Sequence, residues 1–364
     1  MSDLNQLTRL QLVVILISTM IGVGIILMPR ELAIQVNSPD LWMSIIYGAV
    51  AVSIISTLYV SLSQRYPGCS LYEMAPAIMG KFIGSVINLY YVFYCLVVAA
   101  YILRITAGII NNYLLDTTPL PVIIGCFLIV SLYLISNGAG DVVRFFQLYF
   151  PIMLFMFVVL CLLSIKDVDI QNVRPVFSNE LLSSIGGVTI TFFSFLGLEF
   201  LLFFASLVKK KPAKKLLVTL WISIWLTTAI YVTFHIISIG VLGVEELKEI
   251  TFPTIEMAKS IEFKGFFFER FELIFLFGWL TTAFTSFTAY AFAMTLGFHK
   301  LFSRSKLMLI PAGAAIFLLS LFPKGLTEVF HYSSYVSIIS IIATVALPLL
   351  LLVVSLIRGK NYAS

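Results

Sequence analysis

Apolar residues run along this chain in long blocks, without strand-like alternation. Leu10 to Met28 is a stretch of 19 residues without a charge, long enough at 1.5 Å per helical residue to span most of a bilayer's hydrocarbon core. Nine further blocks follow. Run length, charge and Pro/Gly punctuation predict ten membrane-spanning helices near 10–36, 41–63, 82–111, 120–136, 145–165, 181–208, 216–242, 267–298, 306–322 and 333–357. The first is irregular. "MIGVGIILMPRE" (20–31) places Gly22, Gly24 and Pro29 in its middle and outer half. Each residue type weakens or interrupts a helix, and in lipid the backbone groups so released must find other partners.

The predicted sixth span is interrupted too. "GGVTITFFSFLGLEF" (186–200) carries Gly186, Gly187 and Gly197, polar Ser194 next to Phe195 and Leu196, and a carboxylate, Glu199. The chain divides after the fifth span, into about 1–166 and about 181–357, all within one transmembrane domain. Five spans is an odd number, so the halves insert in opposite senses. Interruptions in spans one and six then point to an inverted repeat with discontinuous helices and a midplane binding site. Gly22 and Gly24, flanking Val23, let bare backbone approach a ligand. The outer half-helix begins near Ile25 with free N–H groups and partial positive charge, which suits a carboxylate. The carbonyls closing the inner half suit an ammonium or a cation. An amino acid carries both groups. The competing reading is close helix packing, the commonest use of glycine in membrane helices.

Composition agrees with the pattern: 60% of residues are hydrophobic and 11% charged, with mean hydropathy +1.05, so the fold class is an all-α polytopic membrane protein. The net charge of +5 reports topology, and no nucleic-acid partner is expected. Most of the basic residues fall on one side if both termini are cytoplasmic, with "KKKPAKK" (209–215) the strongest signal. That run anchors topology or binds anionic lipid. Cys69, Cys95, Cys126 and Cys161 are dispersed without CxxC spacing, so neither a disulfide framework nor a metal site is expected. The first apolar run lacks a small-residue cleavage site and is expected to be retained. The sequence contains no nucleophile–base constellation and no Walker motif; neither enzymatic activity nor a cofactor is expected.

Several single residues could carry function. A carboxylate within a membrane is a functional hypothesis by default, so Glu199 either stabilises the second break and gates it or contacts a ligand ammonium. Arg104, in the outer part of span three with Tyr101 one turn inward, either snorkels to the interface, lines a polar cavity or pairs with an outer acid. Val98 and Ala99 are candidate pocket walls. His235 reads as a packing residue. In "WLTTAFTSFTAY" (279–290), Thr281, Thr285 and Thr288 share one helical face, and Ser286 and Tyr290 an adjacent row; hydroxyls there also bond their own backbone. The longest outer loop, about 243–266, is expected to start a short helix at Thr254, with Ile255, Ala258 and Ile261 on one side. It reads as an interfacial helix or a lid.

At these residues the chain resembles the B subunits of spore-germination nutrient receptors, within the amino acid–polyamine–organocation superfamily. "MIGVGIILMPREL" is similar to that family's first-helix pattern and "FSFLGLE" to its sixth. "FPTIEMAKSIEFKGFFFERFE" (252–272), with Glu269, Arg270 and Glu272, resembles its outer segment before span eight. The resemblance implies a LeuT-like 5+5 inverted repeat and a place in the spore inner membrane. It also implies a membrane A subunit and a lipoprotein C subunit as partners, and a nutrient germinant as ligand. It brings Thr285, Ser286 and Tyr290 toward the broken helices. Three functions remain open: a nutrient-sensing receptor subunit, a proton- or sodium-coupled amino acid permease, and a channel-forming scaffold. The small residues at the first break favour a small or medium amino acid over a sugar or nucleoside.

Overall fold

The computed structural model describes residues 6–176, 181–208, 212–261, 270–302 and 309–359, and the regular structure among these is helical apart from one isolated bridge, Leu7 to Val208. Lys209–Lys211 and Glu269 lie outside the described residues. The first predicted span is a pair of helices, α1 (Arg9–Ile21) and α2 (Gly24–Val36), bent by 48° at their junction. There follow α3 (Trp42–Arg65), α4 (Leu71–Met79), α5 (Lys81–Tyr113), α6 (Leu120–Ser136) and α7 (Ala139–Ser164). The second broken region comprises α8 (Leu181–Gly186), α9 (Val188–Ser194) and α10 (Phe200–Phe203). Then come α11 (Ala213–Glu249), α12 (Pro253–Lys259), α13 (Phe271–Phe302), α14 (Leu309–Leu321), α15 (Leu326–Ile341) and α16 (Leu347–Ile357). Among the described residues six helices are long and apolar enough to cross a membrane, with α15 and α16 counted as one; the bent pair makes a seventh. Three shorter apolar helices, at Leu120–Ser136, Ser184–Ser194 and Leu309–Leu321, lie over the remaining predicted segments.

Local chemistry sets the helix ends. Thr8 and Gln11 form a capping box at α1, and Ser70 and Glu73 form another at α4. α11 is kinked where Gly243 takes φ +74°, which closes the membrane-length part of that helix before the segment leading to α12. In the packed molecule, α5 and α13 lie at the centre. Burial covers 67% and 72% of their most apolar windows, against 22% for α7, which faces outward. α13 packs along α5 and α11 along α3, while α1 runs against both α11 and α13.

Three prolines inside helices show how the bundle handles missing donors. Proline has no N–H, so the carbonyl four residues earlier loses its helical partner. Pro29 releases Ile25 O, and the Thr254 hydroxyl of α12 donates to it at 2.8 Å. Pro76 releases Tyr72 O, and Asn88 Nδ2 of α5 donates to it at 2.8 Å. Pro348 releases Thr344 O, and the Tyr59 hydroxyl of α3 donates to it at 2.7 Å. That last site lies in a π-helical turn, Ile342–Ala346, whose Ala343 carbonyl also accepts from Tyr91 at 2.9 Å. Away from water each such bond offsets a desolvation cost of several kcal/mol, so these contacts fix which helices are neighbours.

Candidate functional site

At the first break Gly22 leaves helical geometry (φ −2°, ψ −116°), and the helix resumes at Gly24. Side chains reach four carbonyls at the end of α1 and in the break. Ser286 Oγ lies 3.0 Å from Ser18 O and 3.1 Å from Thr19 O. The Tyr231 hydroxyl donates to Met20 O at 2.7 Å, and Trp279 Nε1 donates to Gly22 O at 3.0 Å. Tyr231 also lies 3.1 Å from Ser194 O at the end of α9, so one hydroxyl spans both breaks.

At the second break the chain turns through Phe195–Glu199, with Gly197 at φ +124°. A Cβ there would stand 2.6 Å from Thr19 Oγ1 and 3.0 Å from the Met20 nitrogen. The two breaks therefore touch at Gly197, and glycine is required by both backbone angle and space. Glu199 is buried at 2% exposure. Its Oε1 accepts from the Tyr94 hydroxyl at 2.6 Å and the Tyr290 hydroxyl at 2.8 Å, and its Oε2 from the Gly197 N–H at 2.8 Å. The carboxylate thus ties α5, α13 and the break into one network, with no basic partner among the described residues.

Between the breaks lies a cavity of about 40 Å³. Of the residues expected from the sequence, Gly22, Val23, Gly24, Val98, Ser194, Leu196, Ser286 and Tyr290 line it. Ile25, Ala99, Gly197, Glu199 and Thr285 do not. Ile25 and Ala99 are fully buried packing residues. Gly197 presses on Thr19 and Glu199 is held by the tyrosines, while Thr285 Oγ1 lies 2.9 Å from Thr282 O in its own helix and 3.4 Å from Ser18 O. The threonine face divides: Thr281 bonds Gly278 O, and Thr288 pairs with Ser131 of α6 at 2.9 Å. Glycine here serves close approach as well. A Cβ on Gly22 would meet Ser286 Oγ at 2.6 Å, and one on Gly24 the Tyr231 hydroxyl at 2.8 Å.

Sequence reasoning missed Thr19, Met20, Tyr101, Ile102 and Phe193 in the lining, and Tyr94, Tyr231 and Trp279 as clamps. Helical spacing held a signal for some of them. Tyr94 lies four residues before Val98 and Tyr101 three after it, and Trp279 lies seven before Ser286, each on a shared face. A cavity of this size holds water, well below the several hundred Å³ of ordinary ligand pockets. A larger ligand requires the breaks to part.

A larger cavity of about 400 Å³ lies beyond α10, lined by residues that include Ser70, Tyr72, Glu73, Phe203, Thr295 and Lys300. A chain of ring contacts joins it to the central cavity: Tyr290 to Phe200 at 4.9 Å, Phe200 to Phe203 at 5.5 Å, and Phe203 to Tyr72 at 5.5 Å. Lys300 Nζ donates to Glu73 Oε1 at 2.5 Å across its rim. Partial burial pushes the Glu73 carboxyl up, but hydrogen bonds from Lys300 and Ser70 outweigh it and hold the group below its ordinary value.

Arg104 is 5% exposed and bonds the Pro323 carbonyl at 3.0 and 3.1 Å, so it is buried within the protein and does not snorkel. His235 is buried with Nδ1 2.7 Å from Tyr231 O, one turn earlier in its helix. The short helix expected near Thr254 forms at Pro253–Lys259, with Ile255, Ala258 and Ile261 all buried. Arg270 Nε donates to Glu272 at 2.8 Å. Among the described residues no group of three or more His, Cys, Asp or Glu could hold a metal ion.

A family model described as spore germination protein matches residues 6–329. Among curated proteins, spore germination protein YndE of Bacillus subtilis (strain 168) is 33% identical, the match covering 99% of each chain. Spore germination protein A2 of the same organism is 33% identical over 92% of this chain and 91% of its own. Spore germination protein GerLB of Bacillus cereus is 29% identical over 94% and 92%. Among solved structures, that of MhsT in complex with L-phenylalanine superposes with a TM-score of 0.67 at 15% identity, covering 99% of this chain and 90% of that one. The fold is thus shared with MhsT.

Proposed function

The chain belongs to the spore germination protein family, and on that premise we propose that it is the nutrient-sensing membrane subunit of a germinant receptor. In this reading it spans the membrane ten times as a 5+5 inverted repeat, with the outer loop around 243–266 as a lid. Both termini lie on the cytoplasmic side of the spore inner membrane. A small nutrient, most readily an amino acid, enters between the breaks. Its carboxylate meets the N–H groups at the start of α2, and its ammonium displaces side-chain donors from the carbonyls at the end of α1. The observation that carries the reading is Tyr231, whose single hydroxyl closes on both breaks across the cavity. A ligand wedged there must part them. Its differential affinity for the parted arrangement then shifts the population, which the A and C subunits read. Alanine-sized ligands need the least expansion.

The second reading is a proton- or sodium-coupled amino acid permease, favoured by the shared fold with MhsT, whose structure is in complex with L-phenylalanine. Fold alone does not separate the two.

The test is a germination dose–response to single amino acids and sugars in spores lacking other nutrient receptors. They carry this chain, with its cognate partners, either intact or as Val98→Ala. The wider pocket is expected to move the preference toward bulkier amino acids at normal abundance. No response to any solute in spores that hold the whole complex, together with accumulation of labelled amino acid in proteoliposomes, would establish the permease instead.

A further inference from the structure

A third cavity, of about 270 Å³, lies away from the breaks, between α5, the turn after α14, and α15. Its walls are aromatic: Phe93 and Tyr101 of α5, Phe322 beyond α14, and Tyr332 and Tyr335 of α15. One charge lines it, Arg104, whose Nε and Nη2 converge on a single neutral oxygen, Pro323 O. A guanidinium has five N–H donors in a planar fork, and none of Arg104's reaches a carboxylate among the described residues. Glu328, the acid whose field acts on it, instead accepts from the Lys324 backbone N–H at 2.8 Å. A buried cation whose fork makes no direct contact with a carboxylate is costly in an apolar wall. A second polar group in the wall lacks a well-formed hydrogen bond. The Tyr101 hydroxyl is buried with no hydrogen bond of ordinary geometry to a described residue, and Ser333 beside it donates to Phe330 O at 2.7 Å.

We propose that this cavity binds a small organic monoanion with an aryl or short alkyl body. The carboxylate of such a ligand takes the free edge of the Arg104 fork, the geometry in which arginine binds carboxylates best. The Tyr101 hydroxyl supplies a further donor, and the body packs among the rings, where aromatic pairs gain beyond area alone. The volume is near the lower end of ordinary ligand pockets, enough for one ring on a short chain. Tyr101 also lines the central cavity and packs edge-on against Phe193 at 5.8 Å, so the occupant would share a wall with the breaks. The proposal stands whether or not the chain senses a nutrient, because its test is binding.

The purified full chain in phosphatidylcholine nanodiscs is titrated with 4-phenylbutyrate and with its uncharged analogue 4-phenylbutanamide, using saturation-transfer NMR. The acid is expected to bind and the amide to bind about tenfold more weakly or not at all. Arg104→Gln should remove that preference. Val336→Trp, which fills the cavity and leaves Arg104 in place, should abolish binding of both; it also decides the matter if Arg104→Gln does not fold. Equal binding of acid and amide, or binding unchanged by Val336→Trp, would overturn the proposal. So would loss of the acid signal when phosphatidylglycerol replaces phosphatidylcholine, since the anion held there would then be a lipid.

Discussion

Replacing Gly197 by alanine tests the contact between the two breaks. The cost has two separable parts. The backbone angle of φ +124° is one that residues with a side chain rarely adopt, worth about 1–3 kcal/mol of strain. The new Cβ would also lie 2.6 Å from Thr19 Oγ1, 2.9 Å from Thr19 Cβ and 3.0 Å from the Met20 nitrogen. Overpacking of that kind costs about 1–3 kcal/mol. The sum, about 2–6 kcal/mol, is a large share of the roughly 5–15 kcal/mol by which proteins are stable. Unfolding by SDS in mixed micelles, followed by tryptophan fluorescence, measures the loss. Thr19→Ala separates the parts. It removes the atom in closest overlap but leaves the strain and the Cβ contact, so the double mutant should recover about 1 kcal/mol, within the coupling range of touching residues. A loss below about 0.5 kcal/mol for Gly197→Ala, or no coupling to Thr19, would refute the claim that the breaks meet there.

The other predictions concern groups that hold the breaks and the cavity rims. Glu199→Gln turns an acceptor of three hydrogen bonds into a group with a donor facing donors; a loss of about 1–3 kcal/mol is expected, and an unchanged germination dose–response would remove the carboxylate from the mechanism. Trp279→Phe keeps the packing but leaves Gly22 O without its donor, which should cost about 1–3 kcal/mol in the same titration. Thr254→Val strips the hydroxyl from the carbonyl released by Pro29, with a similar loss and faster proteolysis of the loop containing α12. Glu73 is held below its ordinary value by Lys300 and Ser70 against the opposing effect of burial. Its contribution is therefore present above the unfolded carboxyl pKa and is lost as pH falls through the lowered folded one. Parent and Glu73→Gln, which keeps a capping side chain but loses the ion pair to Lys300, should differ in melting temperature near pH 6 by an amount set by that partly exposed pair, below about 1 kcal/mol, and converge as pH falls through the lowered carboxyl value; a difference that persists in strong acid would contradict this.

Much of the architecture was legible because membrane helices are written locally. Run length gave the segments, and Gly22, Gly24 and Gly197 marked the interruptions that the structure places side by side. The outer helix was expected at Thr254 and begins at Pro253. The site was less legible. Ser286 and Tyr290 reach the cavity while Thr285 turns to its own backbone, and a helical-face argument cannot separate neighbours whose hydroxyls choose between ligand, backbone and another helix. Arg104 illustrates the same limit: a lone cation near a span end reads as snorkelling until Pro323, more than two hundred residues later, is seen to supply its acceptor.

The sequence by itself determined that the chain is helical and membrane-bound, and that its first apolar segment and the one around 186–200 are broken, because apolar length and the backbone habits of glycine and proline act within a few residues. Only the tertiary structure decided what satisfies the freed groups. The donors for Ile25 O, Gly22 O and Thr344 O are Thr254, Trp279 and Tyr59, each distant in sequence. In lipid, burying apolar surface does not tell one helix from another; the neighbours are chosen by which side chains meet the carbonyls that the breaks leave bare.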